Sequence, residues 1–179
     1  MKYRRSKING GSYFLTLVTH DRRPLFNNSH NVTMLRDAFR QVRETHPFTI
    51  DAVVILPDHL HCMLTFPAGD AKYPQWIRMI KSAFSRRLPP GSPPRAPSRA
   101  AKGEREVWQR RYWEHLIRDD EDYARHVEYI HYNPVKHGLA ESPKDWPWSS
   151  FHDYVGKGVY DVNWGAGEVM TFDEDIGAE

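Results

Sequence analysis

Alternation and helical periodicity divide the chain into seven elements. Residues 12–19 (SYFLTLVT) are rich in β-branched and aromatic side chains and predict a strand, entered from a Gly10-Gly11 turn. Over residues 31–45, Met34, Leu35, Ala38, Phe39 and Val42 recur at helical spacing, and Pro47 ends that helix. Residues 48–56 (FTIDAVVIL) predict a second strand and residues 59–66 (HLHCMLTF) a third. Only Pro57-Asp58 separates them, so the two are expected to run antiparallel. Residues 73–88 predict a second helix with Trp76, Ile77, Ile80 and Phe84 on one stripe. Residues 107–117 (VWQRRYWEHLI) predict a fourth strand. A third helix is expected from about Asp119, where acidic residues suit the helix dipole, to about Asn133, where Pro134 is expected to stop it.

The first six members of this order, β-α-β-β-α-β, match the ferredoxin-like split βαβ pattern. The expected class is therefore α+β: an RRM-like antiparallel sheet with helices on one face, followed by one more helix. One domain is expected over residues 1–155, interrupted at 89–103 (PPGSPPRAPSRAAKG), a Pro-rich basic stretch expected to form a mobile loop. Residues 156–179 show little periodicity and are expected to form a C-terminal tail.

Bulk composition adds little to this picture. At 179 residues, with 40% hydrophobic and 13% aromatic content, the chain suits one folded domain. Charge distribution adds more. The net charge is only +2, yet residues 78–111 gather ten basic side chains against Glu104 and Glu106. Acidic residues collect at 119–122 and beyond Asp173, an asymmetry expected of a polyanion binder, although a solvated basic loop also fits it. The single cysteine, Cys62, excludes an internal disulfide. No apolar run approaches the ~18 residues of a membrane span. The basic start, Met1 to Arg5, lacks a following apolar stretch, so no secretory signal is expected. The expected address is cytoplasmic and nucleoid-associated, without a membrane partner.

Chemistry concentrates in Pro57-Asp58-His59-Leu60-His61-Cys62. On a strand, residues two apart share a face, so His59 and His61 project together while Leu60 and Cys62 enter the core. Two imidazoles on one face can grip a divalent cation, and satisfied surface histidines are the plainer account. A histidine-triad hydrolase would need a third alternate histidine, but position 63 is Met. A structural zinc site would need paired cysteines. On the third predicted helix, Tyr123, Val127 and Ile130 form the core stripe, and Tyr129 and Asn133, four apart, share another face. A phenol and a carboxamide side by side suit a nucleophile beside a metal ligand. Packing and a helix end are again the plainer account.

The blocks HLHC, WQRRYWEHLIRDDEDY, HVEYIHYNPVKHGL and WPWSSF together resemble the REP-associated tyrosine transposases of the single-tyrosine HUH superfamily. The resemblance spans roughly residues 3–155. It implies that Tyr129 is the nucleophile and that His59, His61 and Asn133 hold Mg²⁺ or Mn²⁺. Asn133 departs from the Gln common in the superfamily. It implies a single-stranded DNA endonuclease and strand transferase acting at REP-like hairpins through a 5′-phosphotyrosine, as a monomer or homodimer. Expected DNA contacts are Arg110, Arg111, Arg118 and Lys136, then Lys81, Arg87, Arg4 and Arg5, with Trp108, Tyr112 and Trp113 as base-stacking surfaces. The rival accounts are a non-catalytic single-stranded nucleic-acid binder with an RRM-like sheet, an initiator or relaxase using Tyr132 as a second nucleophile, and a metal hydrolase that uses water.

Overall fold

The structure is a computed structural model, and it describes residues 10–70, 72–89, 106–172 and 176–177. The expected loop at 89–103 lies outside the described residues except for Pro89, as do Arg4 and Arg5. Strand β1 (Gly11–Val18) leads to helix α1 (Ser29–Thr45), strands β2 (Thr49–Ile55) and β3 (His59–Phe66), and helix α2 (Tyr73–Arg87). Strand β4 (Trp113–Leu116), helix α3 (Asp120–Lys136) and the short helix α4 (Phe151–Gly156) follow. The sheet order is β2-β3-β1-β4 with every pairing antiparallel, the ferredoxin-like arrangement.

Period-two alternation sorts the strands onto two faces. Tyr13, Leu15 and Leu17 of β1 join Leu60, Cys62 and Leu64 of β3 in a core covered by α1 and α2. Phe14 and Met63 point the other way, join Ala52 and Val54 of β2, and meet Val127, Tyr129 and Ile130 of α3. The third helix thus covers the face that the first two leave open. No helix among the described residues is long and apolar enough to cross a membrane.

Local chemistry sets the element ends. Asn28 caps α1 by accepting the Asn31 N–H at 2.9 Å. Asp119 caps α3 by accepting the Asp122 N–H at 2.8 Å, and Asp120, Glu121 and Asp122 fill its positive first turn. Gly10 has φ +85°, and a Cβ there would run into the Pro67 carbonyl, so only glycine fits the turn into β1.

Two boundaries differ from the expectation. Pro134 does not stop α3, which runs on to Lys136. Proline removes one N–H, but the helix ends within a turn, where carbonyls are unpaired anyway. Gly138 at φ +66° then closes it: its N–H donates to the Val135 carbonyl and the Leu139 N–H to the Pro134 carbonyl. The fourth strand is shorter than residues 107–117. Trp108 bridges Thr19 and Trp113 pairs with Thr16, so residues 109–112 bulge out opposite Leu17 and Val18.

Candidate active site

The turn from β2 to β3 aims the first histidine. The Leu56 N–H donates to the His59 carbonyl at 2.8 Å, and Thr19 clamps the turn by donating both its N–H and its hydroxyl to the Asp58 carbonyl. Asp58 Oδ1 lies 2.6 Å from His59 Nδ1 and accepts its proton, which leaves Nε2 as the lone-pair nitrogen. Arg22 Nη1 holds the other Asp58 oxygen at 3.1 Å. Burial pushes the Asp58 carboxyl up, but the hydrogen bond from His59 and then Arg22 outweigh it, so it stays below the ordinary carboxylate range. Arg22 and Asp21 sit at φ +48° and +54°, a left-handed turn that costs energy in non-glycine residues.

His61 stands beside it on the same face, its ring centroid 4.9 Å from that of His59. Its Nδ1 shares a 2.9 Å hydrogen bond with Thr16 Oγ1 on the neighbouring strand, which fixes the orientation of the ring. Both rings are buried, at 3% and 0% exposure.

Helix α3 brings the phenol to them. The Tyr129 ring lies 5.3 Å from His61 and 5.9 Å from Phe14. Lys136, seven residues on, donates to the Tyr129 hydroxyl at 2.9 Å, and its ammonium lies 4.7 Å from the ring centre. Asn133, one turn after Tyr129, is fully buried, and neither Oδ1 nor Nδ2 has a hydrogen-bond partner among the described residues. An orphaned amide oxygen one helical turn after Tyr129, whose ring packs on His61, is a donor of the kind that suits a divalent cation.

Sequence reasoning missed several neighbours. His137 lies 5.4 Å from His59, ring to ring, because α3 continues past Pro134. Phe172 lies edge-on to Tyr129 at 5.3 Å, and Gly177 sits so close that a Cβ there would overlap the Tyr129 hydroxyl. The C-terminal segment therefore covers the phenol. That segment has no periodicity that could have announced it. Asp58 and Arg22 could have been found from the rule that ligating histidines carry a hydrogen-bonded partner.

A second cluster, His115, Asp122 and His126, gathers its ligand atoms within 4.8 Å. Donors already fill it. Asp122 Oδ2 accepts from His115 Nε2 at 2.8 Å, the Arg118 N–H at 3.0 Å and Arg118 Nε at 3.1 Å. Burial pushes the Asp122 carboxyl up, and these donors override it and hold it far below the usual range. His126 Nδ1 donates to the Asp122 carbonyl at 2.7 Å, and burial pulls its ring below the ordinary imidazole range. The cluster locks the start of α3 onto β4.

The expected DNA contacts divide. Arg110 and Arg111 are exposed on the bulge. Arg118 is exposed but tied to Asp122. Lys136 is exposed and engaged with Tyr129. Lys81 is half-buried, donates to the Gln109 carbonyl at 2.6 Å, and is pulled down to about 8 by burial. Arg87 is held by Gln41 and the Ala83 carbonyl. Trp108 corrects the stacking expectation: it is 8% exposed, lies between Phe26 and Phe84, and donates to the Lys81 carbonyl. Tyr112 and Trp113 are half-buried against the first and second cores. Tyr132 points its hydroxyl away, to the Glu168 carbonyl at 2.6 Å.

The family described as Transposase IS200 like matches residues 7–133. The chain is 40% identical to a REP-associated tyrosine transposase of Escherichia coli, over 96% of this chain and 94% of that one. It is 42% identical to a Haemophilus influenzae protein provisionally given the same name, over 97% and 98%. Its fold superimposes on a solved REP-associated tyrosine transposase bound to a REP hairpin, with a TM-score of 0.80, 39% identity, and coverage of 99% and 96%.

Proposed function

This chain belongs to the IS200-like transposase family, enzymes that cut and join DNA, and on that premise we propose that it cleaves and rejoins single-stranded DNA at REP-like hairpins through a 5′-phosphotyrosyl bond to Tyr129. The observation that carries this reading is the Tyr129 ring against His61, with Lys136 on its hydroxyl.

Tyr129 attacks the scissile phosphorus in line and expels the 3′ oxygen. Its bond to phosphorus conserves the phosphodiester energy, so a second 3′-OH can later displace the phenol and reseal the strand without ATP. A free phenol ionises near ~10 and is a weak nucleophile at neutral pH. Lys136 donates to its hydroxyl at 2.9 Å, a bond that positions the oxygen for attack. His59, His61 and Asn133 would hold Mg²⁺ or Mn²⁺, which when bound neutralises charge on the scissile phosphate. Asp58 keeps His59 in the tautomer that offers Nε2 outward. The bulge that presents Arg110 and Arg111, with Arg22 beside it, supplies the sequence-independent grip on phosphates. We take residues 1–155 as the catalytic unit, with Phe172 and Gly177 covering Tyr129 until DNA enters.

The test is incubation with a REP-like hairpin oligonucleotide and Mn²⁺. A protein–DNA band that survives denaturation, and is lost in Tyr129→Phe while hairpin binding persists, is the expected result. Cleavage without an attached protein would instead indicate a water-using hydrolase, and binding without cleavage a non-catalytic module.

A further inference from the structure

On the sheet face opposite Tyr129, a groove of about 470 Å³ runs between α1 and residues 147–150. Its floor is apolar, formed by Phe39 of α1, by Ile50, Val53 and Ile55 of β2, and by the Trp148 indole. Its lip is cationic. Arg36, Arg40 and Arg43 stand at i, i+4 and i+7 on α1 and line one rim, all exposed. Arg40 is paired with Asp37, and Asp153 stands on the facing wall, so Arg36 and Arg43 supply the charge left for a ligand.

The facing wall is fixed in place. Ser149 bridges Val54 along the outer edge of β2, the Ile55 N–H donates to the Trp148 carbonyl at 2.9 Å, and the Ser150 N–H donates to the Val53 carbonyl at 2.8 Å. Trp146 Nε1 adds a bond to the Ile55 carbonyl at 2.9 Å. The indole is therefore presented by a pinned backbone. Val54 in turn pairs with His61, which puts this edge one strand, about 5 Å, outward from the histidines.

An indole and planar cations lining one groove are the pair that single-stranded nucleic acid binding uses: the ring takes a base and the guanidinium groups take its phosphates. The volume lies within the ~300–1,000 Å³ of ordinary ligand pockets. We propose that this groove is a second DNA site that takes an unpaired nucleotide of the hairpin substrate, with its base on Trp148 and its flanking phosphates on Arg36 and Arg43. The ligand class rests on the transposase reading. The site would anchor the hairpin around the edge of the sheet while Tyr129 works on a separate stretch of strand.

The test uses a fluorescein-labelled hairpin oligonucleotide carrying an unpaired 5′ foot and one bulged base, read by anisotropy across a salt series. Arg36→Gln with Arg43→Gln should flatten the plot of log K against log salt by about 1.4, two single-strand contacts at ~0.7 each. Trp148→Leu should weaken binding by about 5-fold or more, the low end of what stacking contributes, and Trp148→Phe should stay near wild type. Near-UV circular dichroism checks each fold. Photocrosslinking from 5-iodouracil at each unpaired position should attach within residues 145–157, which keeps the proposal testable if Trp148→Leu misfolds. An unchanged salt slope in the double variant, or no crosslink in that peptide from any unpaired position, overturns the proposal. So does an equal loss of affinity for a fully paired duplex. Wild-type protein that binds and crosslinks but forms no Tyr129 adduct would instead sink the cleavage chemistry and leave the groove standing.

Discussion

Replacing Asn133 with leucine should make the protein more stable and inactive at once. Asn133 is 0% exposed, and both polar atoms of its carboxamide lack a hydrogen-bond partner among the described residues. A buried amide left unbonded costs about 1–3 kcal/mol on the scale of protein mutations. Leucine keeps the branched four-atom outline without a polar atom, so the penalty goes and no cavity is created, while its bulkier methyl groups crowd the site and make that penalty the upper bound of the gain. The expected gain in chelator is therefore at most about 1–3 kcal/mol, with ~2–4 °C of Tm for each kcal/mol in a chain of this size. Manganese should reverse the order. A ligand at 100 times its Kd adds about 2.7 kcal/mol to the state that binds it, and the variant has lost one of its three proposed donors. Urea unfolding with EDTA and with Mn²⁺, run beside the hairpin adduct assay, measures both effects. A variant less stable than wild type in EDTA would show that the carboxamide is already satisfied. Equal stabilisation of both proteins by Mn²⁺ would show that Asn133 is no ligand.

Asp58→Ala removes the acceptor for the His59 Nδ1 proton and should raise the Mn²⁺ needed for half-maximal adduct by about 10–100-fold. Unchanged Mn²⁺ dependence refutes that role. His131 is pulled down to about 3 by burial, so the unfolded chain takes up its proton first as pH falls. Its contribution is complete above the unfolded value of ~6.5 and drains away towards the folded value, at about 1.4 kcal/mol per pH unit. His131→Gln should flatten the pH dependence of urea stability by about one proton between pH 4 and 6, and a slope equal to wild type would contradict this. Gly177→Val forces a side chain onto the Tyr129 hydroxyl and should displace the covering segment, so adduct should form faster with the fold intact. A slower or unaltered rate would mean that the segment does not obstruct the phenol.

The histidine face was legible because strand geometry leaves no choice: once Leu60 and Cys62 enter one core, His59 and His61 must face the other way. The Tyr129 position was legible only in part: Tyr123, Val127 and Ile130 mark the stripe that meets the sheet, but Tyr129, expected on another face, is buried in the same cluster as Val127 and Ile130. Pro134 hid what lies beyond it. A helix stopped at Asn133 cannot bring Lys136 back to a hydroxyl two turns earlier, so Lys136 read as a phosphate contact when it is the partner of Tyr129. Trp108 was misread for a different reason. Aromatic residues are equally at home in a core and on a stacking surface, and only the bulge at 109–112, which turns Trp108 under α2, decides between them. The contact of Gly177 with Tyr129, and the groove that Trp148 and Arg36 both line, join distant segments with no period to announce them. Chemistry that needs a few groups at fixed local spacing is written in the strand and the helix. Which segment covers the phenol, and which surface holds the rest of the DNA, depends on where the C-terminal segments return to the sheet.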